Sequence, residues 1–211
     1  MLKTLKVATM PAALGPWQPL TLPEVTALLA GLAAPWWIAG GWALDLFLGR
    51  QTREHGDTDV LVLRRDQLTV QSALAGWDLH AADPPGTLRP WLSGEWLNAP
   101  VHDIWCRPAA DAPWALQLML AESEAGRWLF RREPSVGGPL EQLTCRTADG
   151  IPYLAPEVQL LYKATDAPRA KDEADLAAVL PYLDPHHRQW LATALRRYRP
   201  QHPWLARLED G

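Results

Sequence analysis

The sequence predicts an α+β fold: a mixed β-sheet flanked by helices and followed by a C-terminal helical bundle. Three observations carry this. A short apolar run, a Gly-Gly turn, a helical pattern and a Val/Leu-rich run follow one another over residues 36–64. Residues 101–132 carry three further strand patterns. From Pro156 onward apolar residues recur only at helical spacing.

In chain order, Leu22-Pro23-Glu24 opens a helix with Val25, Leu28, Leu29 and Leu32 on one face, closed by Pro35. Trp36 to Ala39 reads as a short strand, and Trp42 to Leu48 as a helix stopped by Gly49, so Gly40-Gly41 lies between strand and helix. Thr58 to Arg64 is a buried strand, followed by a helix from Asp66 to Ala75 that ends at Gly76. Val101 to Cys106, Trp114 to Ala121 and Gly126 to Arg132 are strands, the last two joined as a hairpin. Helical patterns then run through Val158, Leu161 and Tyr162, through Leu176, Val179, Leu180 and Leu183, and through Trp190, Leu191, Ala194 and Leu195. The change of class near residue 155 divides the chain into residues 1–155 and a helical region, 156–211, packed against them.

Composition narrows the classes. The hydrophobic share of 48% and the twelve Trp residues belong to a chain with a packed core. The twenty Pro residues are scattered between apolar runs and mark short, rigid connections. A net charge of −4 lacks the basic footprint that supplies most affinity for a phosphate backbone, so nucleic acid is not the expected partner. Cys106 and Cys145 are far apart, without disulfide or zinc spacing, which points to a reducing cytoplasm. Residues 25–44 are uncharged, but Pro35 and Gly40-Gly41 interrupt them, so helix, turn and buried strand are expected and not a membrane span. Lys3 and Lys6 are followed by Pro11, Gly15 and Pro16, which argues against a secretory signal.

The chemistry concentrates in Gly40-Gly41-Trp42-Ala43-Leu44-Asp45 and in the segment from Arg50 to Val60. A Gly-Gly turn before a helix lets backbone N–H groups approach an anion where the helix N-terminus adds favourable partial charge. Asp57 and Asp59 stand two apart at the start of a strand, so their side chains share a face with Thr58 opposite. Two such carboxylates repel each other, and divalent cations relieve the repulsion. An oxygen-only ligand set favours Mg2+ or Mn2+, which keep positions open for substrate phosphates. Either element alone fits an ordinary solvated turn; joined about sixteen residues apart in strand, helix, strand order, they predict phosphate chemistry.

The segment from Trp37 to Val60 resembles the nucleotidyltransferase superfamily pattern of a Gly-Gly or Gly-Ser turn followed by DxD. In particular it is similar to the aminoglycoside 2''-nucleotidyltransferase and lincosamide nucleotidyltransferase group, whose GGW…GRxTRxHxDxD block it nearly reproduces. Residues 152–157 and 171–176 look like the downstream helical region of related nucleotidyltransferase-domain proteins. The resemblance implies a polymerase-β-like nucleotidyltransferase fold, with Asp57 and Asp59 as ligands of two magnesium ions. A third superfamily carboxylate maps to Asp103, as metal ligand or base; its bland reading is a salt-bridged edge-strand acid. Relatives usually carry a His shortly after this acid, whereas here Trp105 follows and His102 precedes.

By the same resemblance Gly40, Gly41, Arg50, Arg53 and Lys163 bind the nucleotide. Arg50, Arg53 and Glu54 equally fit a solvated loop, His55 fits a cap on the turn presenting Asp57, and Lys163 fits a surface lysine. Lys171, Asp172 and Asp175 read as a charge pattern at a helix start, and His186-His187 as surface. Trp36, Trp37 and Trp42 pack beneath the motif; Trp91, Trp96, Trp105 and Trp114 suit either the core or an apolar acceptor cleft.

The implied reaction transfers a nucleoside monophosphate from a nucleoside triphosphate, such as ATP, to the hydroxyl of a small-molecule acceptor, releasing pyrophosphate. Aminoglycoside- and lincosamide-like antibiotics are the acceptors the resemblance suggests. Two other readings stand beside it: a toxin-like nucleotidyltransferase acting on tRNA or protein, which the acidic charge disfavours in its tRNA form, and a catalytically silent nucleotide-binding module.

Overall fold

The structure, a computed structural model, describes residues 14–209. The N-terminal lysines weighed above lie outside them. Helix α1 (Leu22–Leu29) starts on a capping box in which the Thr21 hydroxyl accepts from the Glu24 N–H and the Glu24 carboxylate accepts from the Thr21 N–H. It ends before the expected Leu32, with Ala30 as C-cap and Gly31 and Pro35 in the connection that follows.

Strand β1 (Trp36–Ile38) runs into α2 (Gly40–Leu48), so both glycines lie in the first helical turn; the helix closes on Gly49 at φ 65°. Strand β2 (Asp59–Leu63) follows, then α3 (Gln67–Ala73). Next come β3 (Asp78–Ala82), β4 (Leu88–Pro90), β5 (Asp103–Arg107), β6 (Leu116–Glu124), β7 (Arg127–Leu129), β8 (Gly137–Pro139), β9 (Thr144–Arg146) and β10 (Pro152–Leu154). Four helices finish the described chain: α4 (Pro156–Lys163), α5 (Ala170–Val179), α6 (Pro185–Tyr198) and α7 (Trp204–Glu209).

The mixed sheet has the order β4-β3-β5-β6-β2-β1-β10-β9, with β7 and β8 added to the far half of β6. β2 runs parallel to β6, and β1 runs parallel to β10. The other pairs are antiparallel, including the expected β6–β7 hairpin, whose turn places Ala125 and Gly126 at φ 47° and 77°. Strands β3, β4, β8, β9 and β10 escape a pattern-based reading because most span three residues, several containing Gly or Pro. Pairing with longer neighbours holds them in place.

The core fills both faces of β2, where Val60, Leu61, Val62 and Leu63 are buried. Helix α2 packs against β2 and β10, and α4 packs against α2, α5 and α6, which brings the C-terminal helices over the start of β2. Trp128, Trp204 and Phe130 are fully buried, Trp128 beside Trp190 of α6, Phe130 beside Tyr162 of α4 and Tyr198 of α6, and Trp204 against Glu173 of α5. Among the described residues no helix is long and apolar enough to cross a membrane.

Candidate functional site

Strand register decides which side chains share a surface. Asp59 pairs with Gln117, and Asp103 pairs with Met119 on the other edge of β6. Paired residues lie on the same side of a sheet, and residues two apart along a strand share a face. Asp59, Leu61, Gln117, Met119 and Asp103 therefore form one surface. Over it lies a cavity of about 490 Å³ whose wall includes Gly40, Asp59, Leu61, Met119, Leu120, Arg131, Tyr162 and Lys163.

The Gly40-Gly41 turn closes one end. Gly40 sits at φ 67°, and a Cβ on it would collide with the Asp59 carboxylate; a Cβ on Gly41 would strike the His55 ring and Arg53. Glycine is thus required at Gly40 for two reasons, left-handed backbone and lack of room, and at Gly41 for lack of room alone. The Gly40 N–H is not open to an anion in this arrangement, since it donates to the buried Gln159 Oε1 at 2.8 Å.

Asp57 lies just before β2, and Thr58 points away from the cavity to bond the Leu20 carbonyl at 2.7 Å. Burial raises the Asp59 carboxyl, the charges of Asp57 and Asp103 add to the rise, and Lys163 opposes it; the net result is a pKa of about 7. Asp103 accepts from Gln117 Nε2 at 3.2 Å and lies 3.2 Å from His102 Nε2. So the His preceding Asp103 reaches its carboxylate, and Trp105 does not replace it.

Among the described residues no group of three or more His, Cys, Asp or Glu side chains is placed to hold a metal ion. The residues present nonetheless suit a hard divalent cation. The donors are carboxylate oxygens, and a desolvated carboxylate pressed by two like charges is where a cation relieves most repulsion.

A chain of polar contacts backs the site. His55 Nε2 approaches Asp45 Oδ2 at 2.5 Å, and Arg53 Nη1 lies 3.1 Å from His55 Nδ1. Arginine can only donate, so Nδ1 accepts and Nε2 carries the hydrogen toward Asp45. Asp45 also accepts from the Thr52 N–H and hydroxyl. Arg53 forks onto Asp175, which Lys163 reaches at 2.8 Å; Lys163 lies 3.4 Å from Asp172, itself gripped by Arg169 at 2.7 Å. Burial raises the carboxyls of Asp172 and Asp175, yet their partners outweigh it and both sit below the usual carboxylate range.

This network revises several expectations. Lys163 is buried, not a surface lysine, and Asp172 and Asp175 are its partners instead of a solvated helix start. Arg53 is held inside the network and not free in a loop. Arg50 is exposed and absent from the cavity wall, so the structure does not bring it to the site. Trp91 and Trp114 are buried core residues, and Trp105 stacks edge-on between Trp17 and Trp114 at 4.9 and 5.6 Å; the cavity wall holds no tryptophan. Sequence reasoning misses Asp45, Gln159, Tyr162, Arg131 and Arg132. Of these only Asp45 leaves a local trace, as an acid amid the apolar residues of α2. The others reach the site through tertiary contacts.

Comparison with known proteins bears on the fold and on the segment that holds the Gly-Gly turn. The sequence model of the aminoglycoside-2''-adenylyltransferase family matches residues 21–81, which hold the Gly-Gly turn and both strand-start aspartates. The lincosamide antibiotic adenylyltransferase LnuA in its lincomycin-bound crystal structure superposes with a TM-score of 0.53 at 18% identity, covering 77% of this chain and 96% of that one. The fold is a nucleotidyltransferase fold. ANT(2'')-Ia in complex with adenylyl-2''-tobramycin shares this nucleotidyltransferase fold, with a TM-score of 0.54 at 18% identity over 84% of this chain and 96% of that one. The solution structure of the antibiotic-resistance factor ANT(2'')-Ia gives 0.52 at 18% identity, covering 82% and 87%. No curated protein matches the sequence. The cavity described above thus lies on the sheet face of a nucleotidyltransferase fold, between its Gly-Gly turn and its C-terminal helices.

Proposed function

We propose that this protein is a metal-dependent nucleotidyltransferase that transfers a nucleoside monophosphate from a nucleoside triphosphate to a hydroxyl of a small-molecule acceptor. The observation that carries the reading is the register that sets Asp59 and Asp103 on one sheet face, with Asp59 in the wall of a cavity that Gly40 also lines. The family match over residues 21–81 supports it, as does the antibiotic chemistry of the two neighbours named above.

In this reading Asp57 and Asp59 would hold two Mg2+ ions, and of the two roles open to Asp103, metal ligand or base, it takes that of the base. When bound, these ions neutralise the triphosphate and lower the pKa of the acceptor hydroxyl. Asp103, oriented by Gln117 and His102, takes the hydroxyl proton on a carboxylate oxygen as the hydroxyl attacks the α-phosphorus. The Gly40-Gly41 turn and Lys163 flank the triphosphate, and pyrophosphate leaves along the same wall. Apolar Leu61, Met119 and Leu120 keep water from the attacked phosphorus. Residues 1–155 form the catalytic domain and 156–211 the helical region that closes it. Unpaired Cys106 and Cys145 favour a reducing cytoplasm.

Calorimetric titration with ATP, GTP, CTP and UTP, with and without Mg2+, tests the reading. Metal-dependent binding of at least one triphosphate is expected, with loss of that binding in the Asp57→Asn/Asp59→Asn protein. Absence of binding to all four would reject the reading and leave a silent fold.

A further inference from the structure

The Gly-Gly turn is where backbone N–H groups are expected to meet an anion, yet the Gly40 N–H is already taken by Gln159 Oε1 at 2.8 Å. That contact fixes which way the Gln159 carboxamide faces. A backbone N–H can only donate, so the atom it meets is the carbonyl oxygen and the amide nitrogen occupies the other branch. Gln159 is only 4% exposed, and it belongs to the wall of the cavity that Gly40, Asp59 and Lys163 also line. Among the described residues its Nε2 meets no acceptor, its side chain making only the bond to Gly40. Two N–H donors are therefore held at the cavity wall without a partner. Buried donors left in this state cost free energy that a bound acceptor restores.

The surroundings of this amide indicate what that acceptor is. Gly40 stands so close to the Asp59 carboxylate that a Cβ on it would collide there, so the glutamine is bonded to the residue that touches the expected metal ligand. Gln159 and Lys163 are four apart on α4 and share a face of that helix. Gly40 and Lys163 are the groups placed beside the triphosphate above, and Gln159 is bonded to one and a helical turn from the other. Lys163 is already paired with Asp172 and Asp175 at 3.4 and 2.8 Å, whereas the Gln159 amide has its donors unused. Asp103, the base for the acceptor hydroxyl, lies on the far edge of β6 from Asp59.

Building on the nucleotidyl-transfer reading above, we propose that Gln159 is a substrate-binding residue: its Oε1 stays on the Gly40 N–H while its Nε2 donates to a phosphate oxygen of the nucleoside triphosphate. The glycine turn then acts on the triphosphate through the glutamine, whose amide it orients before the substrate arrives. A neutral donor suits this position because it holds a phosphate oxygen without competing with the metal for the Asp59 carboxylate.

The test begins with calorimetric titration of the α,β-methylene analogues of ATP, GTP, CTP and UTP in Mg2+. Gln159→Glu keeps an acceptor for the Gly40 N–H and replaces the donor, so it should bind the preferred analogue at least about tenfold more weakly. A glutamine that only braced the turn would leave this affinity unchanged. A crystal structure of the parent protein with Mg2+ and the same analogue then reads the contact itself. Gln159 Nε2 is expected within hydrogen-bond distance of a phosphate oxygen, with the Gly40 N–H still on Oε1. Three outcomes overturn the inference and leave nucleotidyl transfer standing: undiminished affinity in Gln159→Glu, an Nε2 bonded to the base, the ribose or nothing, or a phosphate that has taken the Gly40 N–H and displaced the glutamine. Failure of all four analogues to bind the parent is read first; it removes the nucleotidyl-transfer reading, and this inference falls with it.

Discussion

Arg53 grips Asp175 with both arms of its guanidinium, Nε to Oδ1 at 2.9 Å and Nη2 to Oδ2 at 3.1 Å, tying the loop before Asp57 to helix α5 across 122 residues of chain. The same carboxylate serves Lys163 at 2.8 Å. Asp175→Asn leaves two partly buried cations short of their counter-charge and is expected to cost roughly 3–5 kcal/mol. Urea unfolding should show a lower midpoint with an unchanged slope. Arg169→Ala, removing a mostly exposed partner of Asp172, should cost under about 1 kcal/mol. Equal losses in the two variants would contradict this ranking.

Gly40→Ala forces a methyl group into the Asp59 carboxylate from a left-handed backbone position. Transfer activity is expected to fall at least about 100-fold, because displacement of a reacting group by about 1 Å costs that much. The far-ultraviolet dichroism should stay that of the parent. A folded Gly40→Ala protein with normal turnover would separate the turn from the chemistry.

The pH response of the metal-free protein follows from Asp59. Its carboxyl has an ordinary value of 3.8 and a folded value of about 7, so protonation is favoured by the fold. The associated stability is fully present below about pH 4 and is lost as pH rises through 7. In EDTA at pH 8, Asp59→Asn should therefore be more stable than the parent by roughly 2–4 kcal/mol, a difference that vanishes near pH 4. Added Mg2+ should stabilise the parent at pH 8 and not the variant, and its apparent affinity should weaken as pH falls below 7. Thermal unfolding across this range reads both effects; an Asn variant less stable than the parent at pH 8 would refute the burial argument.

Ala125 holds φ 47° in the β6–β7 hairpin without the freedom of glycine. Ala125→Gly should stabilise the protein by about 0.5–1 kcal/mol, measured by denaturant titration, with turnover unchanged. A destabilised variant would show that this turn does not have the left-handed geometry.

What could be read from the sequence is what short segments determine. The Trp36–Leu48 and Asp59–Leu63 elements follow from apolar runs punctuated by glycine, and these same residues put Gly40 against Asp59. Helical spacing alone left Lys163 open between a phosphate-binding and a surface lysine and made Asp175 part of a helix-start charge pattern; only the packing of α4 and α5 on α2 buries them against each other. Arg131 is equally opaque in the sequence, since nothing in a hairpin's alternation says which cavity its trailing residue will face. The tryptophans were open for the opposite reason: bulky aromatics suit a ligand cleft and a core alike, and here Trp91 and Trp114 took the core alternative.

The parallel pairing of β1 with β10, Ile38 opposite Tyr153, has a consequence for biosynthesis. The first strand laid down stays without one of its two neighbours until more than half of the chain has been translated, and helices α4 and α5 emerge later still. A ribosome-bound chain at that stage presents an open strand edge beside a half-built cleft, the kind of surface that chaperones cover. Synthesis of this protein should therefore depend on chaperone availability more than its final packing would suggest, and interrupted chains should aggregate instead of carrying partial activity.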